Sequence, residues 1–502
     1  MKLFSRLSLS AALALVLTTA AGAQLTLPKV LSSHMVVERD VPVHVWGLAL
    51  PSEQVSVTFR GETRTTTAGE LGRWSVYLKP GAAGGPFVMT VQGTAPGGQP
   101  QTITLDDVLV GDVWVASGQS NMEFQMHQAA TADTDLPKAG IPDLRLLVVR
   151  ETSTMAPQDD IDSDGWAASS PETATDFSAV AWYFAREIGQ REHVPVGVID
   201  TTWGGTPVEA WTRMTALGQN AGLMPVFANW GKTIEGEPDH ILRNKDQDRQ
   251  IAEAKAQGKP VPDFGWRWRA ESSGPSLLWN GMIAPLTPFP IRGVIWYQGE
   301  TNASDDRAPL YRSIFTTMIE DWRSQWGVGS FPFLFVQLAN FKPGSNVGWP
   351  ELRDQQLKTL ALNNTGMAVT IDIGNPNDVH PTDKIDVGLR LARWARVLTY
   401  GEKIEDSGPL FRQAVPEGPA IRAYFDHAKG LAARGGALTS FEVAGADGKF
   451  VPATATIDGE TIVASSPEVA KPAAVRYGWA SNPQCNLYNS DQLPASPFTS
   501  AQ

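Results

Sequence analysis

The sequence predicts an α/β protein in three parts, a central domain of alternating strands and helices set between two β modules. Three observations predict it. The apolar residues repeat every second position up to about residue 109, the pattern then changes to strands alternating with helices from 110 to 401, and period two returns beyond 401. A chain of 502 residues also exceeds what one hydrophobic core usually supports, so more than one folding unit is expected. Finally, four of the central strands end in loops of small and polar residues, the arrangement of an open parallel sheet with a ligand site at one rim.

In chain order, residues 1–23 form an expected leader. Lys2 and Arg6 precede an apolar stretch over 7–18, and Ala21-Gly22-Ala23 supplies small residues for cleavage. The stretch is too short to span a bilayer comfortably, so export to the periplasm or the medium is the expectation. The first β module covers 24–109. Val55, Val57 and Phe59 alternate there, as do Trp74, Val76 and Leu78, with turns at 81–86 and 96–98, in the size range of a small antiparallel sandwich.

The central part opens on GDVWVASGQSNM, residues 111–122. Strands are expected near 196–199, 291–297, 333–336 and 367–373. Helices are expected along the face Val180, Tyr183, Phe184, Ile188, over 311–326 with a stop at Gly327, over 352–362, and over 382–400 with a stop at Gly401. Residues 219–273 break the pattern and read as an inserted stretch of helix and loop. Beyond 402 a second β module runs over 421–425, 453–457, 461–464 and 475–477, and ends in an irregular tail from 482 to 502.

Composition narrows the partners. A net charge of -12 argues against nucleic acid as ligand. No long apolar run marks a membrane span. Cys485 is the single cysteine, so no internal disulfide forms, and no Cys/His cluster has metal-ligand spacing. No cofactor is implied. Seventeen tryptophans serve either core packing or stacking on sugar rings.

The chemistry collects at the strand ends. Ser120 follows the apolar strand Val113 to Ala116 after a bend at Gly118, the setting of an exposed nucleophile whose own N–H helps hold an oxyanion. Its plainer reading is a helix cap. A neutral serine needs a base. Of the seven histidines, His34 and His44 lie in the first module, His193 at a helix end, His240 in the insertion and His427 in the last module. His127 is expected on the helix after the serine, pointing away, which leaves His380 as the base. Asp378 or Glu300 would orient the imidazole, or a main-chain carbonyl would. Gly205 is expected to offer a second oxyanion N–H, with a side-chain amide from Gln298 or Asn302. Gln119 and Trp203 complete the substrate-facing set. Trp266 and Trp268, interleaved with Arg267 and Arg269, are candidates for stacking on an anionic glycan.

These stretches, GDVWVASGQSNM, VIDTTWGGTPVEAW, LLWNGMIAPL, GVIWYQGETN and DVHP, resemble in that order the sialate O-acetylesterases, SGNH-type esterases related to acetyl xylan esterases. The similarity runs from about Leu31 to the end of the chain. It implies a flavodoxin-like three-layer hydrolase domain flanked by β modules, and removal of acetyl groups from sugar hydroxyls, most directly of sialic acids, through an acyl-enzyme on Ser120 with His380 as base. Two departures stand out. The general SGNH pattern has aspartate three residues before the histidine, where this chain has Asn377. Its third block is Gly-x-Asn, where this chain has Gly299-Glu300-Thr301-Asn302. In the related acetyl xylan esterases the glutamate matching Glu300 takes the triad role. The alternatives are an acetyl xylan esterase and a carbohydrate-binding protein on an inactive scaffold.

Overall fold

The structure is a computed structural model that describes residues 25–94, 99–236, 238–264, 267, 269–342 and 348–501. The expected leader and both Trp266 and Trp268 lie outside the described residues.

The central sheet is built from β1 (Gln101–Gly118), β2 (Ile141–Val148), β3 (Trp166–Ser169), β4 (Val196–Thr202), β5 (Gly293–Tyr297), β6 (Phe333–Val336) and β7 (Thr365–Ala368). Its order is β7-β6-β5-β1-β4-β2-β3, parallel throughout except for β3, which runs antiparallel to β2. The central strands β4 to β7 and the second half of β1 are buried along their length because helices cover them. Register shows both faces covered. Trp114 of β1 pairs with Gly293 of β5, so Trp296, three residues on, points to the opposite face. Trp114 packs on Phe184 of α1 (Ala179–Glu192), whereas Trp296 packs on Phe315 and Trp322 of α2 (Tyr311–Trp326). α1 packs on α4 (Lys384–Leu398), and α2 on α3 (Trp349–Thr359).

Helix ends follow local chemistry. α2 stops at Gly327, whose φ of +64° suits a residue without Cβ. α4 begins later than the sequence suggests, because the Asp383 side chain accepts from the Asp386 N–H and so caps the helix. The insertion contains helices over Met224–Gly236 and Pro238–Ala256. β2 is absent from the sequence reading, since Asp143 and Arg145 interrupt its apolar run. Arg145 is tolerated there because it is buried against Asp107, with one N–H···O contact of 2.5 Å and another of 3.0 Å.

β1 is longer than a central strand needs to be. Its first half pairs antiparallel with Gly84–Thr94 in the N-terminal β layer, and its second half pairs parallel with β4 and β5. The position expected to divide two domains therefore falls inside one strand, and the N-terminal strands share a continuous core with the central sheet. At the changeover, fully buried Asp112 accepts from Arg39 Nε at 2.6 Å, from an Arg292 terminal nitrogen at 2.8 Å and from the Tyr400 hydroxyl at 2.8 Å.

The C-terminal strands gather around a separate core that includes Ile421, Phe425, Val443, Ile462, Tyr477 and Phe498. The tail is more ordered than its composition predicts: Phe498 stacks on Phe411 with ring centroids 4.1 Å apart, and Phe498–Thr499 pairs with Ala474–Tyr477. Arg353 of α3, fully buried, links the two cores by donating to the carbonyls of Leu338, Ala339, Ala480 and Ser481.

Candidate active site

β1 ends at Gly118, whose φ is +134°. A Cβ there would lie 2.2 Å from the Tyr297 carbonyl oxygen, so only glycine lets the chain turn this close to β5. The Gln119 N–H then donates to that same carbonyl at 3.0 Å. Ser120 opens the one-turn helix Ser120–Glu123, and an N–H at a helix start has no acceptor within its own helix. The hydroxyl and the amide of Ser120 are thus delivered together at the sheet edge.

The expected base arrives from a distant part of the sequence. His380 Nε2 lies 2.8 Å from Ser120 Oγ. Its ring is half-buried, and burial, reinforced by the Lys384 ammonium, holds its pKa below the ordinary histidine value while Asp378 opposes the shift. The lowered pKa favours the neutral imidazole, the state a base requires. Asp378 bonds the His380 main-chain N–H at 2.9 Å, and the same oxygen stands 3.6 Å from Nδ1. That contact is ion-pair range rather than a hydrogen bond.

The family model for carbohydrate esterase, sialic acid-specific acetylesterase, matches residues 270–396, which include Glu300 and His380. Sialate O-acetylesterase of Mus musculus is 31% identical over 93% of this chain and 93% of its own. The Homo sapiens protein is 31% identical over 90% of this chain and 88% of its own. A solved carbohydrate acetylesterase from Xanthomonas citri superposes with a TM-score of 0.82 at 41% identity, covering 95% of this chain and all of that one. The chain belongs to the sialate O-acetylesterase family. It is an esterase, a hydrolase of carbohydrate O-acetyl groups.

Within this sialate O-acetylesterase fold, several expected roles are corrected. Glu300 does not reach the histidine; its Oε1 accepts from Asn121 Nδ2 at 2.5 Å, and Oε2 is buried without a hydrogen-bond partner. Burial pushes its pKa up, against the Asn121 hydrogen bond. Of the two acids, only Asp378 faces His380. Gln298 and Asn302 are fully buried and spend their amides on the protein itself. Gln298 Nε2 donates to Thr206 O and Asn302 Oδ1, and its Oε1 accepts from Tyr311. Asn302 Oδ1 also accepts from the Val208 N–H, and its Nδ2 donates to Glu209. Neither amide is available to an oxyanion.

Gln119 is likewise structural, accepting from Gly299 N and Thr301 N at 3.4 and 3.3 Å. Trp203 is half-buried against the core, with its N–H on the Gly118 carbonyl at 3.1 Å. Gly205 takes the positive φ of the turn, +74°. Its neighbour Gly204 is the residue that lies against Ser120: a Cβ there would sit 3.3 Å from Ser120 Cβ and 2.9 Å from Glu123 Oε2. His127 lies not on the helix after the serine, which ends at Glu123, but in the separate turn Met126–Gln128, where it contacts Thr175 O and Asp176.

Two residues escaped the sequence reading. Asn121 is buried and ties three segments, with Nδ2 on Glu300 and, at 2.9 Å, on the carbonyl of Val379, while Oδ1 accepts from Lys384 Nζ. Lys384 is buried too, its ammonium 4.5 Å from the Phe124 ring centre, and burial pushes its pKa down to about 7. Its signal was legible: a lysine in register with Val387 and Leu391 on the apolar face of α4. A third group is acidic. Glu123, which lies against Gly204, interacts with Glu151 and Asp200; burial raises all three pKa values, to about 7 for Glu151, where Glu123 adds repulsion, and to about 7 for Asp200.

Proposed function

We propose that the protein removes acetyl groups from O-acetylated sialic acids by a serine acyl-enzyme mechanism. The observation that carries the mechanism is the 2.8 Å contact between His380 Nε2 and Ser120 Oγ at the rim of the sheet. Ser120 Oγ attacks the acetyl carbonyl carbon while its proton passes to Nε2. The oxyanion forms beside the Ser120 N–H and the Gly204–Gly205 backbone. Collapse breaks the ester bond, His380 returns the proton to the departing sugar oxygen, and an acetyl group stays on Oγ. Water, deprotonated by His380, then releases acetate and regenerates the serine.

Asp378 orients the imidazole from the solvent side. The architecture behind this is a flavodoxin-like three-layer SGNH domain. That reading is supported by the strand order: without β2 and β3, the remaining strands follow the doubly wound order second-first-third-fourth-fifth.

Sialic acid as substrate is supported by the family description and by the names of the relatives. A hollow of about 290 Å³ by the loops after β4 and β5 is lined by Pro207, Glu209, Lys232, Thr301, Asp306 and Arg307 and includes neither Ser120 nor His380. Lys232 offers a cation for the sugar carboxylate. Acetate release from O-acetylated sialic acid, measured beside release from acetylated xylan, tests the substrate. Faster release from xylan would move the reading to a plant glycan esterase. The leader supports export, which sequencing of the mature amino terminus at Gln24 would test.

A further inference from the structure

The N-terminal layer contains a ribbon that exposes more aromatic surface than its fold requires. In Val43–Leu48 the residues Val43, Val45 and Gly47 face the core, and His44, Trp46 and Leu48 face outward. Its partner Arg73–Leu78 buries Trp74, Val76 and Leu78 and turns Arg73, Ser75 and Tyr77 out. The register sets His44 opposite Tyr77 and Trp46 opposite Ser75.

The rings stack as a column. His44 lies 4.3 Å from Tyr77 at an interplanar angle of 6°, and 4.8 Å from Trp46 at 23°. The column is fixed, because His44 Nδ1 donates to the Pro288 carbonyl at 2.9 Å. Tyr77 nonetheless keeps 59% of its surface in solvent.

Hollows of about 420 and 390 Å³ meet at His44, Tyr77 and Pro288, each in the size range of small-ligand sites. Polar groups border the larger one. Arg73 pairs with Asp159 at 2.6 Å, both largely exposed, and Asp160 Oδ1 accepts from the N–H of Lys29 and of Ile161. Arg73 is thus offset by Asp159, and Asp160 leaves the lining with no surplus positive charge.

We propose that this groove is a second carbohydrate site, binding neutral pyranose units of a glycan by stacking their C–H faces on Tyr77 and Trp46. Flat rings fixed in place suit a sugar face. The Arg73 guanidinium and the two aspartates supply donors and acceptors for ring hydroxyls, and the charge balance disfavours an anionic sugar. None of the Ser120 site residues lines it.

Calorimetric titration of the full chain with cellohexaose, xylohexaose and mannohexaose, and with 3′-sialyllactose as the anionic comparator, tests the proposal. At least one neutral hexasaccharide binds. Tyr77→Ala weakens that binding about tenfold, and Tyr77→Phe restores most of it. Hydrolysis of p-nitrophenyl acetate by Tyr77→Ala stays at the wild-type rate, which shows that the variant is folded and separates this site from the esterase reading. Failure of all three neutral probes to bind overturns the proposal. So does binding that is indifferent to Tyr77→Ala, or sialyllactose binding that Tyr77→Ala weakens more than it weakens binding of the neutral hexasaccharide.

Discussion

Ser120 and His380 meet across 2.8 Å, yet the two halves of the pair are held by different means. The serine stands at the end of a strand bonded to neighbours on both sides, and the turn beneath it is locked by Gly118 against β5. The histidine stands on an open turn where Asn375 Oδ1 accepts from the Asn377 N–H, and its acid partner keeps 55% of its side chain exposed. The sheet fixes the nucleophile. The base depends on side chains, with Asp378 outside and the Asn121–Val379 contact inside. A site built this way tolerates little change on the serine side, and grades its losses on the histidine side.

The largest effect should follow from deleting the nucleophile. Ser120→Ala is expected to lower kcat about 10³-fold or more, with a nearly unchanged melting temperature, since the hydroxyl bonds the part-exposed His380 ring rather than the sheet or its helices. Steady-state hydrolysis of p-nitrophenyl acetate beside thermal unfolding checks both parts. His380→Ala should come close to the same loss, because serine and base act as one unit. A nearly active His380→Ala enzyme would break the pairing outright.

The interior hold comes next. Asn121→Ala leaves Glu300 and Lys384 buried without their shared amide, and costs about 3 kcal/mol of stability by analogy with broken buried polar pairs. Denaturant titration reads this directly, and a loss under about 1 kcal/mol would show that the network is slack. The outer hold is weaker. An exposed ion pair contributes at most ~1 kcal/mol, so Asp378→Asn should reduce kcat only about fivefold. A loss of several thousandfold would restore a full triad role to Asp378.

The smallest effect is a shift in pH dependence. His380 must be neutral to act, and its pKa is lowered by burial and by the Lys384 charge. Activity should therefore persist below the usual histidine range and fall only in more acid solution. Lys384→Met removes one of the two causes, so the acid limb of kcat/KM should move to higher pH. A limb that stays in place would separate the two residues electrostatically.

Sequence made the juxtaposed pair Ser120 and His380 legible because both residues follow apolar strands and few histidines compete. The acid was not legible, since a carboxylate at a strand end says nothing of which way it turns. Glu300 illustrates this: it leaves β5 beside the site, but its carboxyl meets Asn121 rather than the imidazole. Gln298 and Asn302 mislead for the same reason, as their amides are consumed by Thr206, Val208, Glu209 and Tyr311. In the fold, α2 and its glycine stop were readable from periodicity. β2 was hidden by the buried Arg145, whose partner Asp107 is remote in sequence.

The strand Gln101–Gly118 carries one further consequence. A single strand hydrogen-bonded into two layers transmits load without a joint between them. Pulled from its ends, the chain would load the N-terminal and catalytic layers as one mechanical element, distinct from the C-terminal strands with their own core. The enzyme cannot open by swinging its first module aside.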